Sequence, residues 1–244
     1  GMWPAEGSIS SETLEVLAAE GCRWTASSES VLVNSLRKTR RAVPERAQYL
    51  YRPYRLEKGG EGLHYFFRDD HLSDLIGFEY SRWHGKDAAS HFIGQIVSIA
   101  QHAPEDETPV VSVILDGENA WEYYPYNGYY FIDELYSALE THEQIRTTTY
   151  SDYLKQSATL PAADHARTHS LESIVAGSWV YGNFSTWIGS PDKNRAWDLL
   201  CVAKQSFDMV MSSGRLSPAE QEAAERQLCS CDSSDWFWWF CDYN

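Results

Sequence analysis

The run Pro109-Val-Val-Ser-Val-Ile-Leu115 is apolar at every position but Ser112, and Asp116-Gly117-Glu118 closes it. Seven residues without polar alternation read as a β-strand covered on both faces. That is the pattern of a parallel sheet, because an antiparallel sheet usually keeps one face wet. Before it, residues 87–101 carry Ala88, Phe92, Ile96 and Ala100 at helical spacing, and after it residues 128–142 predict another helix. Further out, strands are expected to end in Trp3-Pro-Ala-Glu6 and to run over 22–26 and 63–67. The last is entered from Tyr51-Arg-Pro-Tyr-Arg55 through Gly59 and Gly60. Residues 8–20 predict a helix with Leu14, Leu17 and Ala18 on one face and Gly21 as its stop, and 30–37 predict a second. Two helices, 194–212 and 217–228, close the chain, the latter opened by the capping box Ser217-Pro218-Ala219-Glu220. Lys38, Arg40, Arg41 and Arg46 read as a solvated basic loop, and 162–169 as a polar one. Alternating strands and helices make this an α/β chain with a parallel sheet. The pattern leaves open whether that sheet is a closed barrel.

Composition removes several classes of function. The chain has 244 residues, 43% of them hydrophobic, enough for a substantial core and unlike a disordered segment. With 20 basic against 35 acidic residues, the net charge of −15 argues against a nucleic-acid partner. There is no P-loop and no GxGxxG, and the eight histidines show no HExxH spacing, so neither a cofactor nor a metal is expected. Five cysteines without a CxxC pair favour a reducing, cytoplasmic setting. Neither a signal peptide nor an apolar run of spanning length is present, so no membrane partner is expected. The aromatic content, 10 Trp, 15 Tyr and 9 Phe, suits stacking on pyranose rings and equally suits filling a core.

The chemistry is expected at strand ends. Asp116 stands at the carboxyl end of the apolar strand, where α/β barrels build active sites, although Asp-Gly is also a common turn. Glu6 lies between Trp3 and Gly7 just before a helix, as a reacting carboxylate or as a charge near that helix's positive end. Two carboxylates on different strand ends are what a retaining glycosidase requires, at roughly 5–5.5 Å from each other. Arg68, Asp69 and Asp74 follow another strand, either at the rim or as a structural Arg–Asp pair. Trp179, Asn183 and Trp187 either line a sugar subsite or pack.

Several of these pieces are similar to segments of family 57 glycoside hydrolases, the α-amylase and 4-α-glucanotransferase type. Trp3-Pro-Ala-Glu6 resembles the Trp-x-x-Glu strand end carrying the nucleophile, and Leu115-Asp-Gly-Glu118 resembles the acid/base segment. Phe67-Arg-Asp-Asp-His-Leu-Ser-Asp-Leu-Ile-Gly-Phe78, Gly177-Ser-Trp179, Asn194-Arg-Ala-Trp197 and Ser234-Asp-Trp-Phe-Trp-Trp-Phe240 resemble other recurrent stretches, in the family's order. The resemblance implies Glu6 as nucleophile and Asp116 as general acid/base. Sugar contacts would come from Trp3, Arg68, Asp69, Glu118, Trp121, Trp179, Asn183 and Trp187. It further implies an α-glucan or oligosaccharide substrate, with water or a sugar hydroxyl as acceptor.

The implied fold is a partial (β/α)7-type parallel barrel lacking its first strands, over residues 1–190, with a C-terminal helical segment over 191–244. Only Gly1 and Met2 precede Trp3, where the family has a His-Gln-Pro segment, so a fragment with exposed sheet edges and a tendency to self-associate is expected. Ala26-Ser-Ser-Glu29 departs from related sequences, which often have Asp before that Glu. Two alternatives remain at this point. One is a catalytically idle carbohydrate-binding fragment. The other is a metal-dependent relative of the deacetylase or α-mannosidase type, with His64 or His71 near the acids.

Overall fold

A computed structural model describes residues 1–39, 43–57, 62–117, 119, 121–159 and 167–240. Arg40, Arg41, Gly59, Gly60, Glu118 and most of the loop expected over 162–169 lie outside these residues. The chain divides into two compact units, Gly1–Gly182 and Asn183–Asn244.

The first unit is built on four strands, β1 (Trp24–Ser28), β2 (Tyr54–Leu56), β3 (His64–Arg68) and β4 (His169–Leu171), in the order β1-β3-β2-β4. β1 runs parallel to β3 and β2 parallel to β4, while β2 and β3 are antiparallel. Connection lengths explain this. The segment between β1 and β3 holds α2 (Glu29–Thr39) and α3 (Arg46–Tyr49), enough for a crossover, whereas β2 meets β3 after a short link and must turn back. Register then assigns the faces. Ala26 pairs with Phe66 and Ser28 with Arg68, so these four share one side of the sheet. Tyr65 and Phe67 point to the other side, where they pack with Leu14 and Leu17 of α1 (Ser11–Ala19) and Val31, Leu32 and Leu36 of α2. On the first side, Ala26 and Phe66 are covered by Tyr153 of α7 (Tyr150–Ser157), with Trp3, Trp24, Val110 and Ile114 around them.

The apolar run 109–115 corrects one expectation. It is covered on both faces, as its composition requires: Val111, Val113 and Leu115 pack on one cluster, and Val110 and Ile114 on another. That alternation is the period of extended chain. Yet it joins no ladder of the sheet. Its backbone partners come from outside the strands: the Asp69 amide donates to Ser112 O (2.8 Å), the Val110 amide to Tyr51 O (2.9 Å) and the Ile114 amide to Ser73 Oγ (3.2 Å). The run lies where β3 gives way to α4 (Asp70–Asp74), so a cap amide and a side chain replace a neighbouring strand.

Val111, Val113 and Leu115 face α5 (Gly85–His102) and α6 (Tyr129–Thr141), with Phe92, Tyr124 and Phe131 at the centre of that cluster. The second unit comprises α8 (Pro191–Ser212), α9 (Pro218–Cys231) and α10 (Asp235–Trp239). The expected capping box opens α9: the Ser217 amide donates to Glu220 Oε2 at 2.8 Å, and the Glu220 amide returns to Ser217 Oγ at 3.4 Å. No helix among the described residues is long and apolar enough to cross a membrane.

His64 enters β3 at the end opposite Arg68, away from both acids. Its Nε2 accepts from Arg55 Nε at 3.1 Å, and its Nδ1 is buried without a partner among the described residues. Burial, then the Arg55 charge, hold its pKa below the ordinary value. The folded state therefore binds fewer protons here than the unfolded chain as pH falls through about 6.5. Stability from this site is full above that pH and is lost below it. In thermal melts from about pH 7.5 to about 5.5, His64→Gln is expected to flatten the fall in midpoint. Equal slopes in wild type and variant would contradict this reading.

Candidate active site

Glu6 sits in a tight turn, Ala5–Gly7, laid over the carboxyl end of β1. Ser27 Oγ donates to Gly7 O at 2.6 Å, and Ser28 Oγ to Ser178 O at 3.4 Å. Ile9 and Gly177 exchange amide hydrogen bonds of 2.9 and 3.0 Å, and the Trp179 amide donates to Glu6 O at 3.0 Å. Two segments distant in sequence are thus laced together above one strand end. The turn is strained, since Glu6 has φ 57° and ψ 22°. A left-handed conformation costs a residue with a Cβ about 1–2 kcal/mol. Such outliers cluster at functional sites, where the surrounding structure over-determines them.

Gly7 follows at φ +59°, and a Cβ there would stand 2.6 Å from Cη2 of Trp3. Gly7→Ala is therefore expected to destabilise by about 1–3 kcal/mol, combining backbone strain with a clash on a rigid indole. A urea unfolding midpoint unchanged by the substitution would show that Trp3 does not close on this turn.

Glu6 Oε2 accepts from Trp179 Nε1 at 2.6 Å. Trp3 meets the same indole edge-on, ring centres 5.4 Å apart, and the Arg68 guanidinium lies over it with Cζ 5.2 Å from the ring centre. Arg68 is buried and fully engaged. Its Nε donates to Ile114 O at 2.8 Å, and its terminal nitrogens reach Asp70 at 2.9 Å and Asp74 at 2.8 Å. Ile114 stands two residues before Asp116, which is half-buried at the end of the apolar run. A continuous path, Glu6 to Trp179 to Arg68 to Ile114, links the two carboxylate-bearing segments at the carboxyl-end rim of the sheet.

The family model for glycosyl hydrolase family 57 matches residues 1–164. The chain belongs to glycosyl hydrolase family 57. No curated protein matches it significantly. Solved structures match as well. One is the crystal structure of 4-α-glucanotransferase from Thermococcus litoralis, with a TM-score of 0.52 and 18% identity, covering 86% of this chain and 28% of that one. The likeness bears out the α/β fold class of the family's parallel barrel. The family 57 match includes Trp3, Glu6, Arg68, Asp69, Asp116, Glu118 and Trp121, while Trp179, Asn183 and Trp187 lie past its end.

Behind the family 57 rim is a charged layer that sequence reasoning missed. Arg46 forks between Glu29 (2.7 and 2.6 Å) and Asp69 (3.3 and 2.7 Å). It is not part of a solvated basic loop. Burial works against its charge, but the hydrogen bonds it donates to Glu29 and Asp69, with their charges, outweigh it and hold its pKa above the ordinary arginine value. Tyr49 donates to Glu29, and Tyr51 to Asp69, both at 2.9 Å. Burial, then the Asp69 charge, raise the Tyr51 pKa. Asp69 also caps α4 by accepting from the Leu72 amide at 2.8 Å. Asp69 has no exposed surface, and these donors surround its carboxylate. The structural Arg–Asp pairing foreseen for this loop is real, with Arg46 as the partner of Asp69 and Arg68 as the partner of Asp70 and Asp74.

The remaining expected sugar contacts scatter. Trp121 packs into the α5–α6 cluster beside Tyr124 and Phe131, over Gly128 at φ +78°, whose Cβ would meet it at 2.8 Å. Asn183 and Trp187 belong to the second unit. There Asn183 Oδ1 accepts from the Ser185 amide at 2.8 Å, and buried Trp187 packs 6.0 Å from Trp238. Trp3, Glu6, Arg68 and Trp179 are brought together, with the segment leading to Asp116 beside them.

Proposed function

We propose that the protein acts on α-glucans as a retaining glycoside hydrolase or transglycosidase, with Glu6 as nucleophile and Asp116 as general acid/base. The observation that carries this is the path from Glu6 through Trp179 and Arg68 to Ile114, in the extended run that leads to Asp116. With Trp3 edge-on to Trp179, this path supports a shared site for the two segments that carry the acids. Family membership supports the reaction class, and the glucanotransferase neighbour supports the substrate.

In the first step Glu6 attacks the anomeric carbon while Asp116 gives its proton to the departing glycosidic oxygen. The indole N–H of Trp179 fixes one Glu6 oxygen, so the carboxylate loses little orientational freedom on attack. The positive turn of Arg68 across the Trp179 ring stiffens that indole in its place. In the second step Asp116, now ionised, takes a proton from the acceptor, which displaces Glu6 and restores the acid. Water as acceptor gives hydrolysis, and the 4-hydroxyl of another glucan gives transfer. Incubation with maltoheptaose tests the reading by product length and reducing ends. Shorter chains with new reducing ends mark hydrolysis, and longer and shorter chains without them mark transfer. An unchanged oligosaccharide overturns the proposal.

A further inference from the structure

The side of the rim formed by α2 and α4 holds a pocket of about 380 Å³ lined by Glu29, Ser30, Asn34, Arg37, Asp70 and Tyr181. That volume is near the lower end of small-molecule sites, about 300–1,000 Å³. Ser30, Asn34 and Arg37 recur at helical spacing and so share one face of α2. Asp70 comes from the first turn of α4. Tyr181 comes from a turn seated tightly on α2: Asn34 Nδ2 donates to Gly182 O at 3.2 Å, and a Cβ on Gly182 would fall 2.9 Å from Ser30 Cβ. Tyr181 is held left-handed at φ 58° and stays 77% exposed, an aromatic ring displayed at the pocket and not packed into the core.

The lining selects among ligands. An anion would meet two carboxylates, and a cation would meet Arg37. A neutral polyol satisfies all of them: its hydroxyls donate to Glu29 and Asp70 and accept from Arg37, while its ring face lies on Tyr181. The walls of the pocket also connect to the Arg68–Trp179 pair that holds Glu6. Asp70 is bound to Arg68, and Tyr181 lies two residues past Trp179. The geometry points to a subsite for one non-reacting glucosyl unit of the glucan chain, held by Tyr181, Arg37 and Asp70. Its ligand rests on the α-glucan reading above, whereas the roles of Glu6 and Asp116 do not enter.

Steady-state turnover and calorimetric titration with maltohexaose test the subsite. Tyr181→Ala and Arg37→Ala, both at exposed side chains, are expected to raise KM and weaken binding about five-fold. They leave kcat within about two-fold, because neither side chain reaches the reacting atoms. Tyr181→Phe keeps the ring and should keep the affinity. Binding and KM unchanged in both alanine variants would overturn the subsite while leaving the glycosidase reading in place. Weakened binding, with turnover unaffected by Glu6→Gln, would support the subsite and overturn the roles given to the acids. A wild-type protein that neither binds nor converts maltohexaose would overturn both.

Discussion

Glu6→Gln is expected to lower the rate of α-glucan cleavage by roughly 10⁴-fold or more, since in the proposed mechanism its carboxylate forms the covalent intermediate. The substitution is conservative for the fold. Glutamine keeps an oxygen acceptor for Trp179 Nε1 and the same reach, so the unfolding midpoint should hold. Asp116→Asn is expected to cost less, about 10²–10⁴-fold, the usual contribution of general acid–base catalysis. The two losses should also differ in kind. An aryl glucoside whose leaving group needs no proton should largely escape the first-step penalty of Asp116→Asn, but should suffer fully from Glu6→Gln. Assays of both variants on maltoheptaose and on such an aryl glucoside separate the roles. Equal losses on both substrates for both variants would contradict the assignment.

Arg46→Met is the second change with a large expected effect, on stability. It removes the cation that bridges Glu29 and Asp69, whose side chains are 14% and 0% exposed. Removing one partner of a buried ion pair costs about 3–5 kcal/mol, because the remaining charge stays desolvated. Arg46 itself is 34% exposed, which places the expectation at about 3 kcal/mol. Urea titrations at neutral pH should show this loss as a lower unfolding midpoint. A variant as stable as wild type at neutral pH would mean that the charged layer does not hold the rim.

Much of the fold is legible in the residues because periodicity records local geometry. α1, α5, α6, α8 and α9 repeat apolar positions or carry caps, and β1 and β3 each follow a glycine. β2 and β4 are three residues each, too short to show a period, and only pairing makes them strands. The run 109–115 shows where the reading stops. Its composition correctly foretold cover on both faces, but composition does not say whether the backbone partner is a strand or a helix cap. The site divides in the same way. Asp116 and Glu6 could be singled out because they close recognisable segments. Arg46 could not, since its partners lie 17 and 23 residues away, and nothing local separates it from the exposed Lys38. The choice among tryptophans was equally hidden. Trp179 reaches Glu6 across 173 positions, while Trp121 and Trp187, similar in local setting, turn into their cores.

The central claim is that Glu6 attacks the sugar. Incubating the protein with a 2-deoxy-2-fluoro glucosyl fluoride of α configuration traps the glycosyl–enzyme, and peptide mass spectrometry locates the label. We expect the added mass on the peptide containing Glu6, and its absence in Glu6→Gln. A stable label on any other carboxylate, with Glu6 unmodified, would contradict the account.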